Sequence, residues 1–138
     1  MMISTKGRYA LRILIDLALN ADGGYTSLKG VAQRQGLSMK YIESIVALLS
    51  KEGFVESLRG KNGGYRLKKA PSEYTVGSVL KITEGTLSPV SCSELSGGNE
   101  CEYSEQCITL PLWRKLDKII DDYLESVTLE DLINRNIE

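Results

Sequence analysis

Residues 26–49, TSLKGVAQRQGLSMKYIESIVALL, narrow what this chain can fold into more than any other stretch. Leu28, Val31 and Ala32 share one face of a short helix. Leu37, Ile42, Ile45, Val46 and Leu49 recur at helical spacing in a second. Gly36 falls between the two, where a residue free to take positive φ lets two helices meet at a sharp angle, as a helix-turn-helix requires. Ser38 is placed to cap the second helix through its hydroxyl. The outward face then begins at Lys40, Tyr41, Glu43 and Ser44, and this helix is the candidate DNA-reading helix. Any two amphipathic helices joined by a glycine turn give such a pattern, so the rest of the chain must decide.

Charge distribution favours nucleic acid. The net charge is −1, but residues 1–70 hold twelve Lys or Arg against five Asp or Glu, and residues 71–138 hold five against thirteen. A basic half carrying the helix-turn-helix pattern is the footprint expected of phosphate contact, while the acidic half stays off the duplex. Arg12 and Asp16 interrupt the first apolar stretch well short of a signal-peptide core or membrane span, so the sequence predicts a cytoplasmic protein without membrane association. In a compartment that keeps thiols reduced, three cysteines argue for metal binding or redox chemistry rather than disulfides.

Residues 5–21 form a helix pattern in which Arg8, Arg12, Asp16 and Asn20 make a narrow polar stripe on an otherwise apolar cylinder, which predicts a largely buried helix. Lys6 and Arg8 at its start are within reach of phosphate. Beyond the reading helix, strand-like runs at 54–58 and 64–67 flank Arg59-Gly60-Lys61-Asn62-Gly63. The runs predict a hairpin with an exposed cationic tip. Directly after a helix-turn-helix such a hairpin is a wing, and Arg59 suits a minor groove, where negative potential is strongest. Thr75 and Gly85 bound another helix. Residues 86–108 then show neither helical nor strand period and contain all three cysteines, Cys92, Cys101 and Cys107. A glycine-containing loop of that length is uncommon unless functional or disordered, and it could bring three thiolates to one centre.

Thr109 is placed to cap a helix over about 110–127, with Pro111 tolerated in its first turn. Leu112, Leu116, Ile119, Tyr123 and Val127 form an apolar stripe that Trp113, Ile120 and Leu124 widen. That is more apolar surface than a terminal helix of so small a protein needs, and it predicts a dimer helix, with core packing the plainer possibility. Thr128 and Asp131 make a capping box for a last short helix. The expected fold is mainly α: a winged helix-turn-helix domain (1–85) with a small β-hairpin wing, a cysteine-containing sensor loop (86–108), and a long dimerisation helix with a C-terminal helix (109–138).

Taken together, ISTKGRYALR, LSMKYIE, RGKNGGYRL, the three-cysteine loop, CITLPLW and VTLEDL resemble the winged helix-turn-helix regulators of the IscR, NsrR and CymR group over nearly the whole chain. The resemblance implies a homodimeric transcription factor that binds a roughly palindromic duplex-DNA site. Its loop would sense iron–sulfur status, nitric oxide or sulfur metabolism. The cysteine pattern is most similar to the IscR type, which implies a 2Fe–2S cluster on Cys92, Cys101 and Cys107. It also implies that Glu43 helps choose between two classes of site. Two positions depart from the group. Where IscR-type chains place a histidine ligand, three residues after the last cysteine, this chain has Leu110 and contains no histidine. Where NsrR-type chains supply an aspartate near the start of the first helix, it has Arg8.

A cluster on three thiolates must complete its shell with another donor, commonly oxygen, and is expected to be labile. Ser93, Glu43, Glu94, Glu100, Glu102, Glu105 and a group of a partner subunit are candidates. The alternative is the same DNA-binding scaffold without a cluster, sensing through free thiols, a zinc site or a protein partner. A small iron–sulfur electron carrier would leave the wing and the basic half without purpose, and no nucleophile-base pair points to an enzyme.

Overall fold

The computed structural model describes residues 3–90 and 105–137. The first helix, α1 (Thr5–Leu19), begins where the Ser4 hydroxyl accepts from the Gly7 amide. Ala10, Ile13, Leu14 and Leu17 on its inner face are fully buried. The helix stops two residues before the periodicity suggests. Asn20 turns back on Asp16, its backbone and side-chain amides both donating to that carbonyl, and Asp22 and Gly23 then take positive φ.

The helix-turn-helix follows as α2 (Leu28–Gln35) and α3 (Met39–Lys51). Gly36 joins them at φ 66°, ψ 34°, a conformation most side chains resist. The Ser38 hydroxyl accepts from the Tyr41 amide at 3.2 Å. Ile42, Ile45, Val46 and Leu49 have no exposed surface. Burying each such side chain is worth roughly 1.5–3 kcal/mol, against about 1 kcal/mol for a cap. Packing therefore holds α3, and the cap sets where it starts.

The wing is the antiparallel pair β1 (Val55–Leu58) and β2 (Gly64–Leu67), in register from Val55 opposite Leu67 to Leu58 opposite Gly64. A 3-10 turn (Pro71–Glu73) leads to α4 (Val76–Glu84), capped by the Thr75 hydroxyl and stopped at Gly85 (φ 78°). A Cβ on Gly7 would overlap the Glu84 carboxylate, so α1 and α4 sit closely against each other there. The Glu84 carboxylate in turn accepts from the Ser4 amide (3.0 Å) and hydroxyl (2.6 Å). After residues 91–104, which include Cys92 and Cys101 and lie outside the described residues, come α5 (Leu110–Ser126) and α6 (Leu129–Ile133).

The chain after α5 returns to the body. Val76 N–H donates to Val127 O, Leu129 N–H donates to Tyr74 O, and Leu129 is fully buried. Thr128 and Asp131 form the expected capping box, at 3.0 and 3.1 Å. The described architecture is thus mainly helical, a helix-turn-helix with a two-stranded wing and a long helix near the C-terminus. No helix among the described residues is long and apolar enough to cross a membrane.

Candidate nucleic-acid interface and cysteine loop

Lys40, Glu43 and Ser44 are exposed on the side of α3 opposite its buried residues. Neither Lys40 nor Glu43 has a polar partner among the described residues, so both charges face solvent. Ser44 is exposed too, but its hydroxyl donates to the Tyr41 carbonyl at 2.7 Å and offers outward only its acceptor capacity. Tyr41 is half-buried instead of pointing outward as the spacing suggested. Its ring meets Tyr9 edge-on at 5.8 Å, and Arg12 lies 4.9 Å over the other aromatic. Ser38, exposed, is committed to its cap.

The wing cations Arg59 and Lys61 sit at the exposed tip, where Gly60 takes φ 113° and Gly63 N–H closes the turn onto the Gly60 carbonyl. The tip is carried on a root that sequence reasoning missed. Thr26, just before α2, pairs with Tyr65 of β2 as an isolated bridge, and its buried hydroxyl donates to the Asn20 carbonyl at 3.1 Å. The wing and the start of the helix-turn-helix are therefore one hydrogen-bonded unit. A lone threonine in a turn gives no periodic signal that could have announced this.

The polar stripe of α1 also has a different use from phosphate contact. Asp16 is 4% exposed and receives Arg34 through Nε and Nη2 at 2.7–3.2 Å, with Gln35 Nε2 at 2.9 Å. Arg12 donates to the Gln35 side chain and carbonyl. Arg12 and Asp16 thus fix α2 onto α1. The hydrogen bond to Asp16 raises the pKa of Arg34, whose half-exposed side chain leans over the buried carboxylate, so Arg34 is spent on the fold although it lies in the basic half. At the start of α1, Arg8 is exposed and bonded to Thr5, while Lys6 is half-buried.

Of the three loop cysteines, the described residues include Cys107, half-buried just ahead of α5. Thr109 was expected to cap α5, yet its backbone is helical and its hydroxyl makes no capping bond. It lies 3.3 Å from Cys107 Sγ instead. The Thr109 hydroxyl, then its backbone amide, stabilises negative charge on sulfur and lowers the Cys107 pKa below its usual value. Leu110, at the position of the IscR-type histidine, is 5% exposed and packs inward, so an apolar plug stands where that ligand would be. Glu105 is exposed two residues before Cys107. Among the oxygen-donor candidates, Ser93, Glu94, Glu100 and Glu102 lie outside the described residues.

On α5 the apolar surface divides. Leu110 turns inward, whereas Leu112, Ile119 and Tyr123 are 58%, 52% and 50% exposed in a line along the helix, and Ile108 ahead of it is 94% exposed. The other side faces α4, where Lys81 reaches Asp121 at 2.6 Å and Glu125 at 2.9 Å.

Comparison with known proteins gives one family and a consistent set of relatives. The family described as Rrf2, iron-dependent transcriptional regulator, matches residues 3–135. The regulator named IscR from Pectobacterium carotovorum is 37% identical over 134 residues, covering 97% of this chain and 80% of its own. Among solved structures, CymR, titled the global cysteine regulator of B. subtilis, superposes with a TM-score of 0.79 at 38% identity, covering 98% of each chain. IscR of T. potens does so at 0.75 and 34%, covering 99% of this chain and 89% of that one.

Proposed function

The chain belongs to the Rrf2 family of iron-dependent transcriptional regulators, and from that membership we propose that it is a cytoplasmic homodimer that reads a roughly palindromic duplex-DNA site. The observation that carries this reading is the exposed start of α3, with Lys40, Glu43 and Ser44 on a helix whose opposite face is wholly buried, beside a wing tip bearing Arg59 and Lys61. Arg59 and Lys61 act on phosphate or groove potential. Lys40, Glu43 and Ser44 address base edges, Tyr41 backs them from its seat on Tyr9, and Ser38 fixes where the helix begins. Residues 1–85 form the reading body, 86–108 the sensor loop, and 109–138 the dimerisation part. Two symmetric heads then need half-sites about one helical turn, or a multiple, apart.

The loop's proposed cofactor is a labile iron–sulfur cluster, of the 2Fe–2S type, held by Cys92, Cys101 and Cys107 and completed by an oxygen donor. Cys107 fits the role: its environment favours the thiolate, which is the ligand form. Leu110 cannot supply a fourth ligand, which is the basis for expecting lability. When bound, the group supplies a redox- and supply-sensitive state of the loop. Such a state changes site preference only through a differential affinity for two arrangements of the reading surface. Glu43 is the residue through which this would act, because an exposed carboxylate on a reading helix repels phosphate unless it accepts from a cytosine amino group.

The likeness to CymR favours a second reading, in which the same scaffold senses sulfur or redox status through bare thiols, zinc or a protein partner. Anaerobic purification with iron and sulfide analysis separates the two. A brown protein absorbing in the visible supports the cluster, and a colourless one without iron supports the second reading. For the DNA face, Arg59→Ala and Lys61→Ala should weaken binding across a salt titration, and wild-type binding by both removes the wing assignment. Changes at Lys40, Tyr41, Glu43 or Ser44 should shift sequence preference by roughly 1–3 kcal/mol. The triple variant Cys92→Ala, Cys101→Ala, Cys107→Ala should prefer a different site class from the loaded protein, and adding Glu43→Ala should let it bind both. Equal preference in the loaded and triple-variant proteins separates the cysteines from DNA choice.

A further inference from the structure

A cleft of about 310 Å³ lies between the C-terminal end of α1 and the root of the wing, away from the exposed start of α3 and from Cys107. Its volume is at the lower end of the range of small-molecule sites, roughly 300–1,000 Å³. The floor is apolar: Ala18 and Ala21, whose short side chains leave the space open, and Leu67, all partly exposed, with Leu17 wholly buried behind them. The rim is cationic, formed by Arg66, Lys68 and Lys69. Arg66 is held in place, its Nε donating to Glu56 at 2.6 Å and its guanidinium lying 4.5 Å over the Tyr25 ring. Its terminal nitrogens have no partner among the described residues. That contact satisfies the one carboxylate of the rim, and neither lysine is paired with a carboxylate among the described residues, so the rim carries uncompensated positive charge. The backbone amides of Lys68 and Lys69 are occupied by the Tyr74 hydroxyl, which leaves recognition to the side chains.

An apolar floor under a fixed guanidinium and two lysines suits one chemistry, an anionic head on a compact apolar body. We propose that this cleft binds a small organic carboxylate, the carboxylate meeting Arg66 and Lys69 and the body resting on Ala18, Ala21 and Leu67. A bare phosphate, or a phosphodiester of DNA, would meet the cations and leave the floor unfilled. The occupant would touch both α1 and the wing root and tie one to the other.

The test needs no DNA and so is independent of the function proposed above. Benzoate is titrated into the full chain at constant ionic strength and followed by amide NMR shifts and by thermal unfolding, with benzyl alcohol and inorganic phosphate as controls. Saturable shifts at Ala18, Gly24 and Leu67 are expected for benzoate, with both controls weaker by about tenfold or more, or some 1.4 kcal/mol. Two variants divide the site. Ala18→Leu fills the floor, and Lys68→Gln with Lys69→Gln discharges the rim. Each should weaken benzoate by about tenfold or more, and the lysine pair, being exposed, decides the matter should Ala18→Leu not fold. Absent saturation, phosphate binding as tightly as benzoate, or wild-type affinity in the lysine variant would overturn the proposal.

Discussion

Thr26 and Tyr65 exchange both backbone hydrogen bonds, Thr26 N–H to the Tyr65 carbonyl at 2.9 Å and Tyr65 N–H to the Thr26 carbonyl at 2.8 Å. This single bridge ties the wing to the turn that leads into α2. Gly64 makes it possible, because at φ 152° a Cβ there would overlap the Thr26 carbonyl. Gly64→Ala should therefore cost roughly 1–3 kcal/mol and speed hydrogen exchange of the Tyr65 amide. Gly23→Ala, also at positive φ but with nothing within 4 Å of the added carbon, should cost about 1 kcal/mol or less. Equal losses in urea unfolding would mean that the steric contact with Thr26 contributes nothing.

Asp16 is the buried charge on which the α1–α2 contact depends. Removing one partner of a buried pair typically costs 3–5 kcal/mol, and the half-exposed Arg34 side chain lowers the figure here, so Asp16→Ala should lose roughly 2–4 kcal/mol. Arg34→Ala with Asp16→Ala should lose less than the two single losses added together, since both delete one interaction. A double-mutant cycle by chemical denaturation measures the difference, and strict additivity would count against the pair.

Tyr74 predicts an alkaline limit. Its hydroxyl donates to the Phe54 carbonyl at 2.7 Å and accepts from the Lys68 and Lys69 amides, while burial raises its pKa above the ordinary value near 10. The neutral phenol is thus the form the fold favours. Its contribution is fully present below the unfolded-state pKa and is lost as pH rises through the higher folded-state value. Unfolding free energies between pH 8 and the alkaline limit should fall more steeply for the wild type than for Tyr74→Phe. At neutral pH that variant should be weaker by about 1–3 kcal/mol, because the Phe54 carbonyl and the two amides lose a partner. Parallel pH curves would remove the assignment.

The exposed line Leu112, Ile119 and Tyr123 is the proposed dimer contact. Leu112→Glu with Ile119→Glu should give a monomer by sedimentation at micromolar concentration with native circular dichroism, as expected for surface positions whose substitution leaves the body intact. A persistent dimer would move the contact elsewhere.

Much of the body was legible in the sequence because local rules and tertiary packing agree there. Ser38, Gly36 and the spacing from Ile42 to Leu49 each specify the same turn and helix, and Thr128 with Asp131 specifies the last one. The misses fall where a side chain serves a distant partner. The polar stripe reads only as an interruption of a largely buried helix, and its use is not visible until Arg34 and Gln35, from another helix, are brought over Asp16. Thr109 obeys the composition of a cap but its hydroxyl turns to Cys107, and Tyr41 obeys the helical wheel but is drawn in by Tyr9. Thr26 carries no pattern of its own and acquires a role only when the wing folds back to it.

The way α5 is moored has a mechanical consequence. Leu110 is sunk into the protein at one end, Val127 and Leu129 are stitched to residues 74–76 at the other, and Lys81 grips Asp121 and Glu125 between them. A helix pinned at both ends and along its length behaves as a beam, not as a hinged arm. Two bodies joined beam to beam would keep a set distance between their reading helices, and a rotation of one beam on the other would arrive at the DNA magnified by the full reach of the body.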